Sequence, residues 1–235
     1  NESLSFPPIW YRDKIDGSSG KVRRIGIQNI KQQLYDYIAV EGLNPILARI
    51  GEYQYASIKG RGTTKGKEVI YRWIQNRNMK YFVKLDVKKC FESIDHEKLM
   101  GFLKTRINND MLLNLIQTLI ESFECGLSIG SYLSQYLCNL YMSILYHCIK
   151  EELYKFRRGK RLNLAKHCMI YMDDILMIGS SQKDLEKATK FVIRKAKEMG
   201  LTIKDNYQIR KIDGNCIDMM GFKIYRTHTE IRGRI

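Results

Sequence analysis

The feature that most constrains this chain is a pair of short apolar runs, Cys168-Met169-Ile170-Tyr171 and Ile175-Leu176-Met177-Ile178, separated by Met172-Asp173-Asp174. Runs of this length, rich in strand-forming residues, read as strands, and so short a connection makes them an antiparallel hairpin. An Asp-Asp pair alone says little, because turns favour Asp. Here, however, the two acids stand at the tip of an apolar hairpin. The flanking strands partly desolvate both carboxylates, which also repel each other, and cations relieve both costs.

A third acid is placed in the same way. Tyr81-Phe82-Val83-Lys84-Leu85-Asp86 reads as a strand ending on Asp86. If the strands bearing Asp86 and Asp173 lie side by side in one sheet, the carboxylates converge on one edge. Oxygen ligands without His or Cys select Mg2+, for which Mn2+ substitutes. Two such ions about 3.5–4 Å apart stabilise both the attacking and the leaving oxygen of an in-line phosphoryl displacement. The protein then supplies positioning and charge rather than covalent chemistry.

The remaining pattern frames these strands. Helices are predicted from His96 to Arg106, with Asp95 as cap, and from Asp110 to Phe123. A longer helix follows Gly130, where Leu133, Tyr136, Leu137, Leu140, Tyr141, Ile144 and Cys148 recur at helical spacing. An amphipathic helix from Gln182 to Met199 is closed by Gly200, and strands Tyr207–Ile212 and Ile217–Tyr225 flank a turn at Asp213-Gly214. Strands mixed with helices and hairpins predict an α+β fold, an antiparallel sheet covered by helices on one face.

Charge narrows the partner. Forty Lys and Arg against 25 Asp and Glu give +15 over 235 residues, the footprint of a polyanion ligand. The basic clusters Lys21–Arg24, Lys59–Lys67, Arg157–Arg161 and Arg194–Lys197 come from distant segments, which suits a groove. For the last of them a solvated helix face is the simpler reading. No apolar run is long enough to span a membrane, and Asn1 to Phe6 lack the features of a signal peptide. The six cysteines, Cys90, Cys125, Cys138, Cys148, Cys168 and Cys216, have no zinc spacing and read as reduced thiols, which predicts a cytoplasmic protein without a membrane partner.

The motifs as an ordered set resemble those of reverse transcriptases. Tyr171-Met172-Asp173-Asp174 is similar to their Y-x-D-D box. Asp86 followed five residues later by Phe91 resembles their first acidic motif. Gly126-Leu127-Ser128-Ile129-Gly130-Ser131-Tyr132-Leu133-Ser134-Gln135 resembles the intervening G-x-x-x-S motif. Arg24–Lys31 and Gly60-Arg61-Gly62 resemble the two fingers motifs, and Gly200–Lys204 and Met219–Phe222 those after the active site. The resemblance runs from about Lys21 to Tyr225.

It implies a right-hand polymerase with fingers and palm: residues 1–80 mainly fingers, 81–235 mainly palm, with fingers elements interleaved at about 97–125. The family continues into a helical thumb, which is expected to be absent from this chain, ending ten residues after Tyr225. The resemblance also implies an RNA template, a DNA or RNA primer, dNTPs and two Mg2+ ions. By the same resemblance Asp86 and Asp173 bind both metals, with the Val87 carbonyl assisting and Asp174 completing the site. Lys204 protonates the leaving pyrophosphate; read alone it is equally a surface lysine. Phe91 lies under the deoxyribose; read alone it is equally a core aromatic. Lys31 and Arg24, with Arg23 competing for the place, hold the triphosphate. Ile129, Gly130 and Gln135 line the nucleotide pocket. Lys59, Arg61, Tyr171, Met172, Met220 and Gly221 contact primer and template.

Most of the superfamily resembles Q-G-x-x-x-S-P in the middle motif, where this chain has Ile129-Gly130-Ser131-Tyr132-Leu133-Ser134-Gln135. That variant resembles the reverse transcriptases of diversity-generating retroelements, which are bacterial or phage-encoded, error-prone and served by an accessory protein. Three other readings stay open: a group II intron maturase-like or defence-associated enzyme, an RNA-copying RNA polymerase, and a catalytically silent RNA-binding scaffold.

Overall fold

The computed structural model describes residues 4–15, 20 and 22–233; Lys21, in the first basic cluster, lies outside the described residues. In chain order the elements begin with β1 (Trp10–Ile15), β2 (Val22–Ile27), α1 (Ile30–Leu47), β3 (Gln54–Tyr55), α2 (Thr63–Gln75), β4 (Tyr81–Asp86), α3 (Cys90–Ser93), α4 (His96–Lys104), α5 (Asp110–Glu121) and α6 (Tyr132–Glu151). They continue with β5 (Tyr154–Arg157), β6 (Lys160–Asn163), β7 (His167–Tyr171), β8 (Asp174–Gly179), α7 (Gln182–Glu198), β9 (Ile209–Lys211), β10 (Ile217–Met219), β11 (Phe222–Ile224) and β12 (Thr229–Ile231). Residues up to Ile50 with Lys89–Tyr141 make one compact unit; Gly51–Lys88 with Met142–Gly233 make a second.

The second unit is built on a five-stranded sheet of order β3-β7-β8-β4-β9. Its pairs are antiparallel except one, since the two-residue β3 adds to β7 in parallel. The expected antiparallel sheet is therefore mixed at one edge. The expected cover on one face is also corrected. Phe82, Met169, Leu176 and Ile178 pack with Ile70, Trp73 and Ile74 of α2 and with Ile217, Met219 and Ile224 of β10 and β11. The alternate residues Val83, Ile175 and Met177 are equally buried, and α7 packs against β4, β8 and β9. The reason is legible in β8, whose unbroken apolar run has no polar face to offer solvent. Each such side chain contributes about 1.5–3 kcal/mol on burial.

Ser181 caps α7 by accepting from the Asp184 N–H, and Gly200 ends it at φ +83°. The chain's last part departs from expectation. Tyr207–Ile212 shortens to β9, and Ile217–Tyr225 is a hairpin rather than one strand. Its loop, Met220-Gly221, has positive φ at both residues and is closed by the pair Met219↔Phe222. Two left-handed residues match the twist of tight hairpins.

In the first unit β1 and β2 pair as an antiparallel hairpin, and α5 packs against α1 and α4. Asn29, Asp95 and Asn109 cap α1, α4 and α5, each side chain accepting a backbone N–H three residues on.

Candidate active site

The sheet of the second unit places the acids. The β4–β8 register sets Asp86 directly across from Asp174, and the β7–β8 register sets Tyr171 across from Asp174 on the other side. Asp173 stands with Met172 in the two-residue loop between β7 and β8. Met172 is at φ +52°, a conformation costing a side-chain-bearing residue about 1–3 kcal/mol. Backbone bonds hold this corner: the Val87 N–H donates to Asp173 O at 2.9 Å, and the Lys204 N–H to Asp86 O at 2.9 Å.

Two lysines meet the carboxylates. Lys84 Nζ lies 3.0 Å from Asp174 Oδ2 and donates to the Asp218 carbonyl at 3.2 Å. Lys204 Nζ lies 2.5 Å from Asp86 Oδ1. Apart from this lysine, no hydrogen-bond donor meets that buried oxygen. Burial raises the Asp173 carboxyl above the usual range, helped by Asp86. Burial likewise pushes Asp174 up to about 6, against the pull of Lys84. Desolvation and like charge thus both oppose ionisation here, the conditions a divalent cation reverses. Among the described residues no three His, Cys, Asp or Glu side chains are grouped closely enough to hold an ion as they stand. The three carboxylates share a corner of the sheet with two ammonium groups among them.

Of the other expected residues of this unit, Tyr171 is half-buried against the core. Lys59 is exposed. Arg61 is turned to structure: its Nη1 donates to the Gly51 carbonyl at 2.6 Å, closing the 51–61 loop. Met220 packs against α2, where a Cβ on Gly66 would come 2.6 Å from its Sδ, and the Gly221 carbonyl accepts from the Arg232 N–H.

In the first unit, Arg24 is engaged by Glu124 through two bonds of 2.7 and 3.0 Å and lies 4.1 Å from the Tyr11 ring centroid. Arg23 and Lys31 are exposed, on β2 and in the first turn of α1. Phe91 sits in α3, and its carbonyl accepts from the Leu127 N–H at 2.8 Å. The Ile129 carbonyl accepts from the Gly26 N–H at 2.8 Å, and a Cβ on Gly130, at φ +119°, would come 2.5 Å from Gly26 O. The approach of these two segments thus requires glycine at 130. Gly26, Gln28, Gly130, Tyr132 and Gln135 line a cleft of about 390 Å³.

Sequence reasoning missed Asp36. It is fully buried in α1 and accepts from Ser131 Oγ at 2.8 Å, the Leu133 N–H at 3.2 Å and Gln28 Nε2 at 3.2 Å. Burial raises its carboxyl, while those donors pull it down. Its bonds to the start of α6 fix the Ile129–Gln135 segment against α1. The available signal was an acid amid the apolar positions of a helix.

Comparison with known proteins assigns the class. Residues 13–221 match the family model described as "Reverse transcriptase (RNA-dependent DNA polymerase)", and the chain belongs to that family. It is 26% identical over 180 residues to the COX1/OXI3 intron 2 protein of Saccharomyces cerevisiae, covering 70% of this chain and 20% of that protein. It is 27% identical over 91 residues to the intron 1 protein of the same yeast, covering 34% of this chain and 11% of that one. Among solved structures, apo telomerase from Candida tropicalis, truncated from its C-terminal domain, aligns with a TM-score of 0.67 at 13% identity, over 97% of this chain and 55% of that one. Telomerase from Candida albicans, in complex with a fragment of telomeric RNA, aligns at 0.68 and 13%, over 98% and 46%. These structures share the fold. The chain spans a fifth or less of the curated relatives and about half of the telomerase chains.

Proposed function

We propose that this chain carries the fingers and palm of an RNA-directed DNA polymerase that adds dNTPs to a primer 3′-hydroxyl on an RNA template. One observation carries the reading. Asp86 and Asp174 are cross-strand partners beside Asp173, and the buried Asp86 Oδ1 has no partner but the Lys204 ammonium. Such an oxygen set fits Mg2+. Asp86, Asp173, Asp174 and the Val87 carbonyl would hold two ions, which supply charge at the oxygens that gain it. Lys204, ion-paired with Asp86, would by family resemblance give a proton to the leaving pyrophosphate. Phe91, by family resemblance, excludes the 2′-hydroxyl.

The finer reading is an error-prone enzyme of the diversity-generating retroelement kind, bacterial or phage-encoded, cytoplasmic and served by an accessory protein. It rests on Ile129 and Gln135. The two yeast intron proteins favour a second reading, an enzyme of intron-encoded type.

The test is primer extension on an RNA template with Mg2+. Extension is expected with dNTPs and not NTPs, and Asp173→Asn should abolish it while leaving RNA binding intact. Phe91→Ala should relax exclusion of NTPs by roughly 10- to 200-fold. Near-normal extension by Asp173→Asn would sink the metal assignment.

A further inference from the structure

The β5–β6 hairpin stands apart from the five-stranded sheet as its own two-stranded sheet. It joins the larger sheet at the His167 end of β7. The carboxylates lie past Tyr171 at the other end, four residues or about 13 Å along the strand. The hairpin is therefore not a wall of the carboxylate site.

Its two faces differ. The register pairs Tyr154↔Asn163, Lys155↔Leu162, Phe156↔Arg161 and Arg157↔Lys160. Alternation puts Lys155, Arg157, Lys160 and Leu162 on one face; Lys155 and Leu162 are half-buried, with Lys155 Nζ 2.6 Å from Asp184 of α7. That face is anchored. The other face carries Tyr154, Phe156 and Arg161, all exposed, with Phe156 at 69%. The Arg161 guanidinium lies 3.9 Å from the Tyr154 ring centroid, and the Tyr154 and Phe156 rings are 5.5 Å apart edge to face. Two adjacent exposed rings beside a guanidinium leave apolar surface available to a partner.

The tip adds charge at a conformational cost. Arg158 and Gly159 form a two-residue loop with φ +50° and +73°. Such loops favour Asn-Gly, because the first position requires a left-handed residue. Arginine is disfavoured there, yet it brings the tip to four cations, Arg157, Arg158, Lys160 and Arg161. Among the described residues no carboxylate pairs with any of the four.

We propose that the β5–β6 hairpin is a sequence-tolerant binding platform for single-stranded RNA, with bases stacking on Phe156 and Tyr154 and phosphates following Arg161 on the same face and Arg158 at the tip. Aromatic faces interleaved with Arg are the chemistry that grips single strands without reading sequence. The choice of RNA over DNA rests on the RNA-copying reading above; the platform itself does not.

The experiment measures anisotropy of a labelled 12-nucleotide oligouridine bound to the full chain in EDTA, across a salt series, beside an oligothymidine and a polyglutamate of equal length. Phe156→Ala should weaken RNA binding by about tenfold, one lost base stack. Arg158→Asn is the sharper variant. It supplies the residue the turn prefers, so thermal stability should hold or rise, while RNA affinity falls and the salt slope drops by about one. Binding unchanged in both variants overturns the proposal, as does polyglutamate binding as tightly as RNA. Oligothymidine binding tighter than oligouridine overturns the assignment to RNA. Metal-dependent extension of a short primer–template is measured in parallel. Extension retained by a variant that loses oligouridine binding marks the platform as a separate site. Hairpin-dependent binding in a chain that never extends would remove the polymerase reading and leave the platform standing.

Discussion

Asp86 faces Asp174 across the β4–β8 ladder, and each carboxylate has drawn in a lysine: Lys204 Nζ at 2.5 Å from Asp86 and Lys84 Nζ at 3.0 Å from Asp174. Two like charges directly opposite in a sheet oppose folding. The ammonium groups offset this only in part: burial above all, with Asp173 and Asp86 adding to it, still pushes Asp174 up to about 6.

This arrangement predicts a metal-linked stability. Adding Mg2+ to the chelated protein should raise its thermal midpoint, because an ion that binds only the folded state stabilises by mass action. Asp174→Asn should lose most of that shift. In chelator it should unfold no earlier than wild type, since a repelling charge is removed with its lysine contact. Measurement is by thermal denaturation with and without Mg2+. A full Mg2+ shift in the Asp174→Asn protein would place the ion elsewhere.

Asp36 predicts a different loss. Its carboxylate is fully buried and takes three donors, two from α6 and its approach and one from Gln28. Asp36→Ala leaves those donors unsatisfied, at about 1–3 kcal/mol each when fully stranded, and should destabilise by roughly 2–4 kcal/mol in all. Asp36→Asn, which keeps an acceptor of the same size, should recover much of it. Denaturant midpoints of the three proteins decide this. Equal losses for Ala and Asn would mean that the charge, not the acceptor, matters.

Asp36 also marks where the sequence stops being legible. The hairpin of β7 and β8, the caps Asp95 and Gly200 and the α6 period depend on neighbours within a few residues, and each was readable. Arg24 resembled a phosphate ligand, but its Glu124 partner lies 100 residues away, and no local pattern announces such a pair. From sequence the β10–β11 hairpin reads as one strand, because Met220 stands where a left-handed turn favours Asn or Gly. The parallel β3 has only two residues, so only the finished sheet defines it.

His167 gives a pH dependence. It stacks on Trp73, with ring centroids 4.6 Å apart and planes at 13°. Burial, with Lys150 and Lys166 adding to it, lowers the imidazole from its ordinary 6.5 to about 4. The folded state thus keeps His167 neutral where the unfolded chain already binds a proton. Between those values the unfolded state holds more protons, so stability rises with pH across the window and is complete above about 6.5. The contribution is on the order of 1–2 kcal/mol once its part exposure is discounted. His167→Phe should remove this rise between pH 4 and 6.5, leaving the opposite slope of Asp174, whose raised carboxyl keeps its proton in the folded state. An unchanged slope in that variant would assign the dependence to other groups.

Fidelity is the prediction on which the retroelement reading stands. Ile129 is half-buried, with its carbonyl held by the Gly26 N–H, and Gln135 lines the neighbouring cleft from the first turn of α6. By resemblance, most reverse transcriptases have Gln and Pro at these places. A Gln side chain hydrogen-bonds sugar and base where Ile does not, and Pro fixes φ in a first helical turn where Gln leaves it free. Both differences leave the site less preorganised. A less preorganised site separates right from wrong nucleotides by a smaller transition-state difference. Wild type should misincorporate often, mainly opposite template adenine by the same resemblance. Ile129→Gln combined with Gln135→Pro should lower the error rate. The measurement is sequencing of cDNA made by both forms on one RNA with balanced dNTPs. A low wild-type error rate without adenine bias would remove the retroelement reading and favour the intron-encoded one.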